Sequence, residues 1–171
     1  MKKADIARLG KEDVIKAIGK EWMLVTAGTP DKFNTMTASW GGVGYLWNKA
    51  VAFVFIRPER YTHEFVENNE RLTLAFLGNE NREILNFCGT KSGRDCNKAK
   101  ETGLSPVATE TGNVTFSQAR LTLEGRKLYR GKFNAEDFLD KTLFERWYND
   151  QPGGTLHTVY VVEIENIYVN D

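Results

Sequence analysis

Hydrophobic and polar positions change period several times along the chain, which predicts short strands with helices set between them. Ile6, Leu9, Val14, Ile15 and Ile18 fall near helical spacing and predict an N-terminal helix over residues 5 to 18. Trp22 to Ala27 reads as a strand that stops at Gly28-Thr29-Pro30-Asp31, a turn signal. Thr35 to Trp40 is Thr-rich and expected to be extended, ahead of Gly41-Gly42. The run Ala50 to Ile56 is β-branched and aromatic, as suits a strand buried on both faces. It ends at Arg57-Pro58, where Pro removes a ladder donor. Thr62 is the expected N-cap of a helix through Asn69, with Glu64 in its first turn at the positive end of the dipole. Arg71 to Leu77 returns as a strand, and residues 81 to 102 read as short helices around a loop holding Gly89 and Gly93. From Val114 to Leu128 the alternation changes phase between Phe116 and Leu121, which predicts a bulge or bend where a strand curves into a barrel. Asn134, with Asp137 three residues on, heads an amphipathic helix carrying Phe138, Leu139, Leu143, Phe144, Trp147 and Tyr148. Gln151-Pro152-Gly153-Gly154 ends that helix, and Leu156 to Val169, rich in Val, Ile and Tyr, is the last strand. The pattern predicts one domain over residues 1 to 171, mainly β with inserted α-helices.

Composition narrows the classes of function. At 171 residues the chain is long enough for a sizeable core, and 41% hydrophobic against 27% charged residues argues for a folded domain. Twenty-three basic residues balance 23 acidic ones, so no net positive footprint favours nucleic acid. The longest apolar run, Ala50 to Ile56, is far short of the roughly 20 residues of a membrane span. No apolar stretch follows Met1-Lys2-Lys3, so no signal peptide is visible. Two cysteines, Cys88 and Cys96, are too few for a disulfide scaffold, and two histidines are too few to complete a structural zinc site with them. A reduced, cytoplasmic protein is the expectation.

Three polar segments carry candidate chemistry. In Asn34-Thr35-Met36-Thr37-Ala38-Ser39-Trp40-Gly41-Gly42, small hydroxyl residues beside glycines let backbone groups approach a flat heteroaromatic ring; an edge strand running into a glycine turn is the plainer reading. In Arg57-Pro58-Glu59-Arg60-Tyr61-Thr62, two guanidinium groups, a phenol and a hydroxyl meet where a strand ends and a helix begins. Such a place suits a phosphate; a solvated turn with the arginines paired to Glu59 and Glu64 is the alternative. Gly89-Thr90-Lys91-Ser92-Gly93-Arg94-Asp95-Cys96-Asn97-Lys98 is either an anion-lined loop or a mobile polar one, and it lacks the order of a Walker A loop. Neither cysteine has a histidine nearby in sequence, and buried inert thiols are commoner than catalytic ones. His63 sits in the first turn of a helix, where exposure to solvent is the plain expectation, and His157 opens the final strand, either facing a cleft or, as suits a lone histidine, structural or solvated.

Taken in order, Asn34 to Gly41, Arg57 to Thr62, and Ser92-Gly93-Arg94-Asp95 with Lys98 resemble the flavin reductase-like family of FMN-binding split barrels, especially its flavoredoxin-like members. The resemblance implies a split β-barrel that binds FMN. It would place Thr35, Met36, Thr37, Ala38, Ser39 and Trp40 along the ring and ribityl chain, partly through the hydroxyls of Thr37 and Ser39. Arg57, Arg60, Tyr61 and Thr62 would surround the phosphate, with Ser92 and Lys98 closing over it. It further implies a homodimer with the flavin near the interface. Electrons would come from NAD(P)H or a reduced redox protein and pass to free flavin or a redox partner; the alternative is an electron carrier with little NAD(P)H turnover of its own. Relatives carry Gly-Asp-His before the last strand for nicotinamide. Here the region reads Gly153-Gly154-Thr155-Leu156-His157, which keeps His157, the catalytic candidate, and loses the Gly-Asp pair. Split barrels also host haem or a pyridoxine phosphate, and haem would need His63 or His157 as an axial ligand.

Overall fold

The computed structural model describes residues 1–149 and 155–170. Ten strands are found among them: β1 (Lys2–Ala4), β2 (Met23–Thr29), β3 (Lys32–Ala38), β4 (Gly41–Leu46), β5 (Lys49–Ile56), β6 (Arg71–Phe76), β7 (Pro106–Ala108), β8 (Val114–Phe116), β9 (Leu121–Lys132) and β10 (Thr158–Val169). Five α-helices join them: α1 (Val14–Lys16), α2 (Tyr61–Asn68), α3 (Arg82–Thr90), α4 (Lys98–Thr102) and α5 (Lys141–Trp147). The main sheet runs β3-β2-β6-β9-β10-β5-β4, with β1 added to β10, and its pairs are antiparallel. Its two ends, β3 and β4, follow each other in the chain with only Ser39 and Trp40 between them. Three peptide steps reach at most about 11 Å. The sheet therefore curls until its edges almost meet, a barrel left open at Ser39-Trp40.

One core fills the barrel and a second lies outside it. Val25, Met36, Val54, Ile56, Leu72, Leu74, Leu123, Tyr160 and Val162 pack inside. Leu24, Ala75, Leu77, Leu85, Cys88, Ala99 and Phe116 form the outer cluster, where α3, α4 and the β7–β8 pair cover β2 and β6. This corrects the reading of Ala50 to Ile56: β5 buries Val51, Ala52, Val54 and Ile56, while Phe53 and Phe55 belong to neither core cluster and stay half-exposed. The strands covered on both sides are β2 and β6. Curvature comes from two bulges in the β9–β10 ladder, one leaving Leu128 and the other Glu165 outside the register. Gly125 lies beside the second, where a Cβ would sit 2.2 Å from the Glu163 carbonyl oxygen.

Several element boundaries differ from the expected ones, for local reasons. The N-terminal helix is broken into a 3₁₀ turn (Ile6–Lys11), α1 and a π-helical turn (Ala17–Glu21). Asp5 caps the first piece and Asp13 the second, so a capping carboxylate inside the run ends one turn and starts another. Trp22 does not begin β2; it leaves the π-turn at φ 72°, its ring held under Arg82 at 3.9 Å. Residues 114 to 128 form two strands, because β8 pairs with β7 outside the main sheet before β9 enters it. Asn134 caps no long helix. Its Nδ2 donates to Asp137 at 3.0 Å in a 3₁₀ turn, and α5 begins seven residues later under Asp140, whose Oδ1 accepts from Thr142 N–H at 3.0 Å. The last strand starts at Thr158 rather than Leu156. The helix stop expected at Gln151 to Gly154 lies outside the described residues. Among those described, no helix is long and apolar enough to cross a membrane.

Candidate functional site

The chain crosses from one barrel edge to the other at Ser39-Trp40, and a cavity of about 230 Å³ opens there. Residues Met36 to Trp40, Phe55, Arg57, Arg60, Trp147 and His157 line it. The walls are aromatic: Trp40 meets Trp147 edge-on at 5.0 Å between centroids and lies 5.4 Å from the His157 ring. The rim is cationic. Arg57 donates to the Trp147 carbonyl at 2.8 Å and sits over the Tyr148 ring. His157 is buried, with Nδ1 2.8 Å from the Tyr148 hydroxyl. Burial, reinforced by Arg57, pulls its pKa down to about 4, so the imidazole is neutral at neutral pH. Flat walls with a fixed positive rim suit a planar, electron-rich ring.

A smaller polar cavity of about 120 Å³ adjoins it, with Arg60 common to both. Glu59 to Thr62 form one wall and Thr90 to Gly93 with Lys98 the other. The α2 N-terminus opens here, where the first N–H groups of a helix have no intrahelical partner. Arg60 is the N-cap, its guanidinium turned to the carbonyls of Gly89 at 2.9 Å and Cys88 at 3.4 Å. Thr62 therefore does not cap the helix as expected. It is buried in the first turn, and its Oγ1 accepts from Asn34 Nδ2 at 2.8 Å, which leaves the hydroxyl proton for a further acceptor. Lys98 is buried at 5% exposure and donates to the Thr35 and Cys88 carbonyls at 2.8 and 2.9 Å. Two of its three protons are so used; the third is left for the cavity. Ser92 turns the loop by accepting from Arg94 N–H at 3.2 Å. Gly93 is required beside it, because a Cβ there would lie 1.9 Å from Asn34 Oδ1. An anion fits these donors; a cation does not.

Twelve of the thirteen residues singled out in the sequence line this pair of cavities by side chain or backbone: Met36, Thr37, Ala38, Ser39, Trp40, Arg57, Arg60, Tyr61, Thr62, Ser92, Lys98 and His157. Thr62 lines the polar one with its proton available. Thr37 lines the ring cavity, but its hydroxyl donates to the Leu85 carbonyl at 2.5 Å and is spent. Thr35 turns away: its hydroxyl pairs with Thr26 at 2.7 Å, and only its carbonyl, held by Lys98, takes part. The alternative pairing of Arg57 and Arg60 with Glu64 is absent, since Arg94 holds that carboxylate; Arg57 keeps a loose 3.9 Å contact to Glu59. His63, expected to be exposed, is half-buried with Nε2 3.0 Å from the Thr158 hydroxyl. Sequence reasoning missed Phe55, Trp147 and Tyr148 at the site. The last two are expected on one amphipathic helix, and only the fold brings them beside His157. A larger open groove of about 740 Å³ lies across the Gly93–Cys96 loop, but charges of both signs on Asp31, Lys32, Arg94, Asp95 and Lys100 line it in open solvent.

Comparison with known proteins identifies the fold and the family. The profile of the flavin reductase like domain matches residues 15–171. The chain belongs to that family. A comparison with curated protein sequences gives no match. Among solved structures, flavoredoxin from Methanosarcina acetivorans superposes with a TM-score of 0.69 at 18% identity, covering 88% of this chain and 69% of that one. Flavoredoxin of Desulfovibrio vulgaris (Miyazaki F) gives 0.67 at 19% identity, over 100% of this chain and 78% of its own. An FMN-binding protein from Thermus thermophilus with bound 1-cyclohex-2-enone gives 0.67 at 18%, over 86% and 69%. The flavin reductase-like chain thus has the split barrel that its strand order describes, open where Ser39 and Trp40 line the ring cavity.

Proposed function

We propose that this flavin reductase-like protein binds FMN and works as a redox protein that accepts electrons on the flavin and passes them on. The observation that carries the reading is a pair of neighbouring cavities: an aromatic, cation-rimmed slot between Trp40 and His157, and a polar pocket of anion donors that shares Arg60 with it. The ring would lie in the first and the phosphate in the second, held by Arg60, Ser92, Lys98, the Thr62 hydroxyl and the open end of α2. When bound, FMN supplies hydride and electron chemistry that no side chain here provides. Arg57 and the neutral His157 would face the ring and favour negative charge on it, in a site where burial makes such contacts stronger than in water. Purified protein titrated with FMN should take up one equivalent and turn yellow, with riboflavin binding more weakly. Bleaching by NADH or NADPH under anaerobic conditions marks a reductase; bleaching only by a reduced redox protein marks a carrier. Failure to take up FMN refutes the reading.

A homodimer belongs to the same proposal. Trp40 and Trp147 at the ring cavity, and Tyr45 and Trp47 on the β4–β5 hairpin, are large and exposed in the single chain. The hairpin turns through Trp47-Asn48, both left-handed at φ 53° and 57°, a two-residue turn that holds the Trp47 ring outward at a backbone cost. Light scattering should give twice the chain mass for the wild type and the single mass for Trp47→Asp. A monomeric wild type removes this part of the proposal.

A further inference from the structure

Tyr148 lies one residue past α5, outside the three polar segments read in the sequence, yet it holds the one histidine of the ring cavity. It is buried at 7% exposure, and its backbone N–H donates to the Phe144 carbonyl at 2.9 Å. Its hydroxyl is 2.8 Å from His157 Nδ1, with the two rings edge-on at 84°. A buried phenol proton requires an acceptor, and among the described residues Nδ1 of His157 is its partner. A neutral imidazole carries a single proton; with Nδ1 accepting, that proton is on Nε2. Nε2 is also the ring nitrogen left to face the cavity that His157 lines.

We propose that Tyr148 is a positioning residue. By donating to Nδ1 it holds His157 as the Nε2-protonated tautomer, which presents a fixed N–H to an accepting oxygen or nitrogen of a ring bound beside Trp40. The surrounding charges support the same state. Arg57, 5.2 Å over the Tyr148 ring, acts on the imidazole from β5's end, and together with burial keeps it neutral against the weaker pull of Glu59. Burial raises the Tyr148 phenol, so it remains an O–H donor at neutral pH. Trp40 bounds one side of the imidazole, 5.4 Å away and tilted by 50°. The ligand class follows. A ring presenting a carbonyl oxygen or an unprotonated nitrogen is matched, whereas one presenting only N–H at that position sets donor against donor. The identity of the ring rests on the FMN reading above; the tautomer does not.

The test uses the full chain labelled with 15N-histidine. His63→Gln leaves His157 as the only histidine of the two in the sequence. Long-range 1H–15N spectra of FMN-free protein at pH 7 should show a singly protonated ring with the proton on Nε2. Adding Tyr148→Phe should shift the ring toward a mixture of tautomers. An Nδ1-protonated or doubly protonated ring, or a tautomer unmoved by Tyr148→Phe, overturns the proposal. FMN should then move the Nε2 signals more than the Nδ1 signal; the reverse overturns the direction of the donor. Should Tyr148→Phe fail to fold, two variants replace it: His157→Gln sets an amide N–H near Nε2, and His157→Asn sets one near Nδ1. FMN affinity should be about tenfold higher for Gln than for Asn, and equal loss in both overturns the assignment. A chain that takes up no FMN sinks the function, while the ligand-free spectra still decide the tautomer.

Discussion

Replacing Lys98 by methionine is expected to weaken FMN by about 10- to 150-fold, the ~1.5–3 kcal/mol of one hydrogen bond to a charged group, and to change riboflavin much less. Methionine keeps the buried stem and removes only the ammonium. Lys98 spends two protons on the Thr35 and Cys88 carbonyls and turns the third toward the pocket of Ser92 and Thr62. Burial, with some help from Arg60, lowers its pKa from the ordinary 10.5 to about 8. That sets the pH dependence. Below about pH 8 the ammonium is already present to meet a phosphate dianion. Above it, binding has to draw a proton onto the amine, so Kd for FMN should rise by up to about tenfold per pH unit, while riboflavin and the Lys98→Met protein stay flat. Stability carries the opposite signature. Between about pH 8 and 10.5 the unfolded lysine is protonated and the folded one is not, so unfolding takes up a proton and the ligand-free wild type gains stability as pH rises through that window. Titrations of FMN and riboflavin at pH 7, 8 and 9, with urea melts of both proteins, check this. Equal losses for the two ligands would show that Lys98 does not read the phosphate.

Much of this site was legible in the chain because its parts are local. The order Thr35 to Trp40, Arg57 to Thr62 and Ser92 to Lys98 places strand ends, a helix start and a tight loop within short stretches, and each has its own composition. Arg57 to Thr62 remains a turn into a helix N-terminus whatever packs on it. What could not be read depends on contacts made across the barrel. Thr35 and Thr37 look alike in sequence, yet the first turns its hydroxyl to Thr26 on the neighbouring β2 and the second donates to the Leu85 carbonyl on α3. Thr62 has the residue type of a cap, but Asn34, 28 positions earlier, needs a buried acceptor and takes it. The two-sided burial assigned to β5 belongs to β2 and β6, since apolar alternation does not say which strands the helices will cover. Tyr148 shares its helical spacing with Phe144 and becomes part of the site only through His157. The N-terminal helix failed for a local reason: Asp13, inside the apolar run, caps a new turn.

Glu124 bears the other large expected effect, on folding rather than on the site. It is a fully buried carboxylate in the middle of β9. Four neutral donors converge on it: the Thr109 hydroxyl and, at 2.6 Å, the Thr111 hydroxyl on Oε1, then Asn166 Nδ2 and the Tyr168 hydroxyl, each at 2.9 Å, on Oε2. No basic side chain is among these partners, and the four hydrogen bonds tie the loop after β7 to β9 and to the far end of β10. Glu124→Leu fills the volume but strands the Thr109 and Tyr168 hydroxyls where water does not reach, and takes the acceptor from the more open Thr111 and Asn166. The expected loss is roughly 3–5 kcal/mol, a large part of the 5–15 kcal/mol typical of a whole domain, and Tm should fall by roughly 10 °C for a chain of this size. Glu124→Gln, which keeps one acceptor oxygen, should lose less. Asn166 is nine residues along the chain from His157, roughly 30 Å of extended strand, so FMN affinity of the folded fraction should not change in either variant. A Glu124→Leu protein that melts within 3 °C of wild type would show that the four donors find other partners once the carboxylate is gone.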